Sequence, residues 1–470
     1  MINPTVLAEL RGIVGPKRLL TQPEELACYA YDSTHYTRHP DAVLFPASVE
    51  EVAGILAAAN RARVPVVPRG AGTSITGGAV PIRGGIVVCT SRLNRILEID
   101  AENLTAVAEP GVVLGDFQAT VEKLGLFYPP DPASLSVSTL GGNVGENAGG
   151  PRGVKYGSTR DYVLGLEVVL ADGTVLHTGA KTMKTASGYD LTHLFVGSEG
   201  TLGFVTKMTL RLLPLPETKR TVMAIFDSVE VAAATVSATI AAKVVPTTLE
   251  LMDDVVIELV EAYKPCGLPR DAAAVLLFEV DGSERGVDKQ VDLVAEVARR
   301  GGARDVRVAR TAAEAAVLWT ARRGAFAVMA RSRPTIIVED ATVPRNRMPE
   351  LVGRIKDLCA KYGLQVGILA HAGDGNMHPL IMTDLRDRDE MGRVERFVEE
   401  LFQITLAMGG VLSGEHGIGN LKKRFMPWQH GAFGVELMRR LKAAFDPNDI
   451  LNPGKLLPDL DGVDGGSTSL

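Results

Sequence analysis

Three glycine runs lie within the first 203 residues: PRGAGTSITGGAVP (68–81), GGNVGENAGG (141–150) and GSEGTLG (197–203). Glycine lets a backbone approach a ligand closely, and successive N–H groups form nests for phosphate. One glycine usually makes only a turn. Three such runs in one half of a chain ask for more, and Arg69 in the first run adds a positive charge. The runs follow neither common phosphate-loop scheme. Ile75 stands where a Rossmann fingerprint starting at Gly70 needs its third glycine, and no G-K-[ST] follows a suitable loop. A dinucleotide bound here is held by another scheme.

Around these runs the local pattern is α+β. Ser48-Val-Glu-Glu51 is a capping box opening an amphipathic helix, VEEVAGILAAANRA. Val64 to Val67 and Ile86 to Thr90 read as strands. Val163 to Leu170, Asp172-Gly173 and Thr174 to Thr178 read as a hairpin. LLPLPETKR (212–220), with two prolines and a charge cluster, marks a boundary. Beyond it, strand-like runs at 222–226, 247–252, 275–280, 306–309 and 336–343 alternate with helical stretches near 284–300 and from a second capping box at Thr311-Ala-Ala-Glu314. That rhythm predicts a sheet covered by helices on one face. The tail from Gly462 to Leu470 predicts disorder.

The totals exclude several classes. A chain of 470 residues exceeds one core, so two or three domains are expected. A net charge of −6, with both signs mixed and no basic block, gives no reason to expect nucleic acid. Cys28, Cys89, Cys266 and Cys359 are too scattered for a cysteine zinc site or an iron–sulfur cluster. They read as buried free thiols in a reducing compartment. Glu9 and Arg11 interrupt any signal-peptide pattern, and no run reaches the roughly 18 apolar residues of a membrane span. The expectation is a cytoplasmic chain that reaches the inner face of a membrane only through partners.

HAGDGNMHP (371–379) places His371 and His378 on either side of Gly373-Asp374-Gly375-Asn376. Turn chemistry in the middle forbids a helix. The stretch reads as strand (364–370), turn and strand (379–382), with both imidazoles at one end of a sheet. That is a candidate metal site short of a carboxylate. The alternative is a tight turn with two unrelated surface histidines.

PRGAGTS, PPDPAS (129–134), TLGGNVGENAGG, VKYGSTRDYVLGLEVVLADG and GSEGTLGFVT occur in that order and together resemble the flavin domain of the vanillyl-alcohol oxidase superfamily. WTARRGAF (319–326), HAGDGNMH, GEHGIG (414–419) and NPGK (452–455) resemble its D-2-hydroxyacid dehydrogenase branch. That branch includes the glycolate oxidase flavin subunit, which the motifs resemble most, flavin D-lactate dehydrogenases and D-2-hydroxyglutarate dehydrogenase. The resemblance covers nearly the whole chain. It implies an α+β protein: a two-part FAD-binding domain (1–217), a substrate or cap domain with an antiparallel sheet covered by helices (218–410), and a C-terminal segment (411–470) returning to the flavin and metal site.

The resemblance also implies roles. Pro68, Arg69, Gly70, Ala71, Gly72, Thr73 and Ser74 belong to the FAD pyrophosphate loop. Asp131, Gly141, Gly142, Asn147 and Gly157 lie along the cofactor. Glu199 and Gly200 sit near its adenosine half, and Asn452 near the isoalloxazine. Relatives with covalent flavin carry a histidine in the first loop. Thr73 and Ser74 stand there instead, so FAD is expected to be non-covalent. Glu415 supplies the missing carboxylate, giving a His371, His378, Glu415 site suited to Zn²⁺ or a similar ion. Arg322 matches the arginine that grips the substrate carboxylate. His416 is the candidate base, with support of the metal site as its other reading. Phe326 and Val338 stand where the hydroxyglutarate enzyme has a threonine and a lysine, which favours a small monoacid such as glycolate or D-lactate. An iron–sulfur subunit and a second flavin subunit are the implied electron-transfer partners. A flavin subunit active only within a larger oxidase, and a metal-dependent hydrolase without flavin, are the other readings.

Overall fold

The computed structural model describes residues 2–459, so the tail from 462 lies outside the described residues. The chain forms two compact units. Among the described residues, the first contains 2–148, Ser158–Leu215 and 415–459. The second contains Gly149–Gly157 and Pro216–Gly414. No linker signal in the sequence announces the nine residues that the middle of the first half contributes to the second unit.

In the first unit, β1 (Leu19–Leu20), β2 (Ala42–Leu44), β3 (Val66–Arg69) and β4 (Ile86–Cys89) form a sheet in the order β1-β2-β4-β3. β2, β4 and β3 are parallel. Parallel strands covered on both faces read as unbroken apolar runs, as AVL and IVVC do. Pro68 is tolerated because β3 is the last strand in this order. The helix Val49–Ala62 packs Val52, Ile55, Leu56 and Ala59 into the same core as Leu44, Val66 and Val88. Its capping box is only half made. Ser48 accepts from Glu51 N, but the Glu51 carboxylate accepts from Ala47 N and from both terminal nitrogens of Arg18. A second, antiparallel sheet holds β5 (Ile96–Asp100), β6 (Thr105–Ala108), β8 (Val163–Val169), β9 (Val175–Gly179) and β10 (Phe204–Arg211), in the order β5-β6-β10-β8-β9. The expected hairpin is β8–β9, with Thr174 N donating to Asp172 Oδ1 in its turn. A two-stranded pair joins β7 (Leu126–Phe127) and β11 (Leu213–Pro214).

The second unit is built on an eight-stranded sheet. Its strands are β12 (Thr218–Phe226), β13 (Thr248–Asp253), β14 (Ala274–Gly282), β15 (Asp305–Val308), β16 (Thr335–Val338), β17 (Ala341–Thr342), β18 (Gln365–His371) and β19 (Asn376–Thr383). The order is β15-β12-β14-β13-β18-β19-β16, with β17 beside β19, and every pairing is antiparallel. Helices cover both faces, not the one expected. Met223, Ile225, Met252, Val275, Leu277, Leu369, Leu380 and Met382 form one core with the helices Asp254–Tyr263 and Ala312–Met329. The alternate residues Val222, Ala224, Phe226, Leu276 and Phe278 are also fully buried, and helices Val229–Ala241 and Glu284–Arg300 pack on the same strands.

Two further expectations change. The run 336–343 is broken at Glu339-Asp340, opposite Pro379 in the interior of β19. Glu339 N donates to Pro379 O, but proline has no N–H to return, so the ladder lapses and Asp340 is released from it. The cysteines are all free, as expected, but only Cys89 is buried: Cys266 and Cys359 are half-buried and Cys28 is exposed. Among the described residues no helix is long and apolar enough to cross a membrane.

Asp253 caps the helix Asp254–Tyr263 through Val256 N (3.0 Å) and also accepts from Ile368 N (2.9 Å). Burial pushes its carboxyl up to about 7 in spite of both bonds. The unfolded chain releases this proton near pH ~3.9. Between those values the folded state holds the extra proton, so stability falls as pH rises. Asp253→Asn should therefore gain stability relative to wild type between pH ~4 and ~7. Denaturation midpoints that run parallel across that window would refute it.

Candidate functional site

Within the first unit the three glycine runs meet. Gly197 N donates to Val144 O and Glu199 N to Gly145 O, tying the third run to the second. The helix Leu140–Glu146 starts at Thr139, whose hydroxyl accepts from Gly142 N and sits where a Gly70 side chain would be. Gly141 packs just as closely on Pro110. Gly200 has φ +69°, and a Cβ there would lie 2.7 Å from Pro68, joining the third run to the first. Asn147 and Glu199, neither of them glycine, hold left-handed φ values of 54° and 52°. Strain of that kind persists only where surrounding bonds enforce it. Asn147 Oδ1 accepts from Ser158 Oγ and Arg160 N. The Glu199 carboxylate accepts from Ile418 N (2.7 Å) and Gly419 N (2.8 Å). Asn452 Nδ2 donates to Gly78 O and Glu199 O, bridging the first and third runs.

Other expected cofactor residues are placed as follows. Arg69 is buried and donates to Tyr31 O, with its guanidinium over the Tyr29 ring and beside Gly72. Ala71, Thr73 and Ser74 follow in the loop after β3, Ala71 exposed and the other two half-buried. Asp131 is half-buried in the loop after Pro130. Gly157, at φ +80°, belongs to the second unit. Two ionisable groups were not anticipated, half-buried Glu146 and buried Lys455. Burial, reinforced by Glu199, pushes the Glu146 carboxyl well above its ordinary value. Lys455 of the NPGK motif donates to Gly77 O and Val80 O, and burial lowers its pKa to about 8. Asn143 Nδ2, Glu146 Oε2 and Asn452 Oδ1 are buried without a partner among the described residues. Buried polar atoms are rarely left so. Unmet donors and acceptors around closely approached glycine loops fit a large polar ligand such as FAD.

Within the second unit, β13, β18 and β19 bring the histidines together. The strands run further toward the turn than expected, so that both histidines lie within them: His371 pairs with Asn376 and His378 with Leu369. Opposite residues in an antiparallel pair share a face, and so do residues two apart. His371, His378 and Glu250, the partner of His371 across β13, therefore continue the face on which Met252, Leu369, Leu380 and Met382 form the apolar core. The two imidazoles bring ligating nitrogens within 4.8 Å of each other, and both are buried. His371 Nδ1 lies 2.9 and 3.0 Å from the two oxygens of Glu250, which is fully buried. Burial would raise the Glu250 pKa, but His371 and Arg322 outweigh it and hold it below its ordinary value. A carboxylate on Nδ1 keeps the proton there and leaves Nε2 as the ligating atom.

Arg322, on the helix that covers this face, places Nη2 2.6 Å from Glu250 Oε2. Its Nε is buried and has no partner among the described residues. Asp340 accepts from Ser413 Oγ (2.6 Å) and Gly414 N (2.8 Å), and its other oxygen lies 4.0 Å from His378 Nδ1. Gly414 is packed against Thr342 and Asn376. A peptide bond then keeps the Glu415 Cα within about 3.8 Å of the Gly414 Cα. Glu415 opens the first unit's last segment. His416 follows it, with Nε2 3.9 Å from Glu415 Oε1 and its carbonyl accepting from Thr76 Oγ1. Sequence reasoning missed Glu250 and Asp340. Their only signal was a carboxylate inside an apolar run, TTLELM and IIVEDATV.

Residues 215–456 match the C-terminal domain of FAD-linked oxidases, and residues 40–179 match the FAD binding domain. The chain is 47% identical over 457 residues to the glycolate oxidase subunit GlcD of Bacillus subtilis, covering 97% of each. It is 36% identical over 466 residues to a D-lactate dehydrogenase of Anaerostipes hadrus, covering 97% of this chain and 98% of that one. Among solved structures, p-cresol methylhydroxylase with substrate bound gives a TM-score of 0.81 at 20% identity, covering 97% of each chain. 4-Ethylphenol oxidase from Gulosibacter chungangensis gives 0.77 at 19% identity with the same coverage.

Proposed function

This chain belongs to the FAD-linked oxidases, in the vanillyl-alcohol oxidase superfamily, and we propose that it oxidises a small D-2-hydroxyacid, glycolate or D-lactate, to the 2-oxoacid. It is an FAD-dependent oxidoreductase acting on hydroxyacids. The observation that carries the finer reading is the cluster of Glu250, His371, His378 and Arg322 at the end of one sheet face. Two buried imidazoles, one fixed through Nδ1, suit a divalent ion such as Zn²⁺, with Glu415 as third ligand. When bound, FAD supplies an acceptor for the hydride from Cα, and the ion supplies Lewis acidity that lowers the pKa of the substrate hydroxyl.

The chain's own groups do the rest. Arg322, with Nη2 on Glu250 and Nε uncommitted, binds the substrate carboxylate. His416 takes the hydroxyl proton on its imidazole. Burial of both metal-binding histidines excludes bulk water from their side of the site. FAD is held without a covalent bond, since the first glycine loop offers Thr73 and Ser74 and no imidazole. Electrons leave to partner subunits carrying an iron–sulfur cluster and a second flavin, in keeping with relatives named as subunits.

D-2-hydroxyglutarate is the second reading, and two residues count against it. Phe326 lies one turn beyond Arg322 on the same helix and is half-exposed, and Val338 in β16 packs beside the apolar core. Neither offers a donor to a second carboxylate, and an unpaired charge there is costly. A panel of 2-hydroxyacids assayed with an artificial electron acceptor, with and without chelator, should give glycolate or D-lactate the highest kcat/KM. A preference for D-2-hydroxyglutarate would overturn the substrate assignment.

A further inference from the structure

We propose that Glu250 is a positioning residue that couples metal binding at His371 to carboxylate recognition at Arg322, a role that rests on the functional reading above. Glu250 is neither a metal ligand nor a substrate contact in that reading. It is fully buried in β13, register-paired with His371, and one carboxylate serves both neighbours. His371 Nδ1 lies 2.9 Å from Oε1 and 3.0 Å from Oε2, while Arg322 Nη2 lies 2.6 Å from Oε2. An ionised carboxylate has about four acceptor sites and no donor, so it can hold an imidazole N–H and a guanidinium N–H together. The first bond fixes the His371 tautomer and ring plane. The second fixes the guanidinium fork with Nε uncommitted. The two halves of substrate recognition, metal for the hydroxyl and arginine for the carboxylate, are thereby set at one spacing by a single side chain.

Glutamine at this position separates the explanations. Its amide has one oxygen and an NH₂ that would face one of the two donors. In either orientation the NH₂ meets the His371 Nδ1–H or the Arg322 guanidinium and the negative charge is gone, yet the side chain nearly preserves volume. If Glu250 positions both groups, Glu250→Gln in the FAD-loaded protein should weaken Zn²⁺ binding by about 10–100-fold, measured by chelator competition. It should also weaken propionate, which has the carboxylate but no hydroxyl, by at least about tenfold in calorimetry. Arg322→Ala should lose propionate binding and keep Zn²⁺ affinity, and His371→Ala should do the reverse. Only Glu250 should move both. If Glu250 merely neutralises Arg322, removing its charge would tighten propionate binding, and that result overturns the proposal. Wild-type affinity for either probe in Glu250→Gln overturns it as well. Should the glutamine variant fail to fold, Glu250→Asp keeps the charge but retracts it by one methylene, and the same joint loss is expected. A wild-type protein that binds Zn²⁺ and oxidises hydroxyacids while Glu250→Gln is unaffected defeats this coupling alone. A wild-type protein that binds no metal defeats the functional reading and the coupling with it.

Discussion

His416→Ala is expected to slow flavin reduction by about 10²–10⁴-fold, the usual contribution of a general base, while FAD and metal remain bound. The loop carrying His416 is held by bonds that do not involve its ring. Thr76 Oγ1 donates to the His416 carbonyl, and Ile418 N and Gly419 N donate to the Glu199 carboxylate. Gly417, at φ +81°, leaves no room for a side chain beside Glu146 and Glu199. Removing the imidazole should therefore leave the backbone in place and take away only the proton acceptor. Stopped-flow reduction by D-lactate, with FAD and metal content measured on the same sample, reads this directly. If the ring only supports the metal site, metal content would fall with the rate. An unchanged rate would remove His416 as the base.

His371→Ala and His378→Ala are expected to abolish stoichiometric metal binding and, with it, most hydroxyacid oxidation. Each removes one of three proposed protein ligands, a larger loss than the about 10–100-fold that a missing outer-shell partner costs. His371→Ala also removes the imidazole that shares the Glu250 carboxylate with Arg322. FAD should stay bound in both variants, because the glycine runs lie in the first unit and the histidines in the second. Elemental analysis beside the visible spectrum tests both halves of this expectation. Full metal content in either variant would rule out the site.

Local chemistry carried much of the fold. Ser48 announces its helix, Asp172-Gly173 its hairpin, and the turn within HAGDGNMHP brings two histidines to one sheet end. What stayed hidden depends on partners far along the chain. Glu250 lies 121 residues before His371 and looks like one carboxylate in an apolar strand. Asp340 sits inside a run that reads as continuous strand until Pro379 of the neighbouring strand withholds its donor. Glu51 completes a capping box by pattern, yet Arg18, 33 residues earlier, claims its carboxylate. Thr311 repeats the lesson, since Glu314 reaches Arg310 N instead of closing its own box. The three glycine runs together pointed to a ligand, but their meeting through Gly200 on Pro68 and Asn452 on Gly78 needed three dimensions.

Anaerobic mixing of the FAD-loaded protein with glycolate or D-lactate, before and after chelation verified by elemental analysis, tests the central claim most directly. Untreated protein should lose its oxidised-flavin absorbance with at least one of these substrates. Metal-free protein should do so far more slowly and recover on adding Zn²⁺. Flavin that no 2-hydroxyacid reduces, or that is reduced equally fast without metal, would contradict the account.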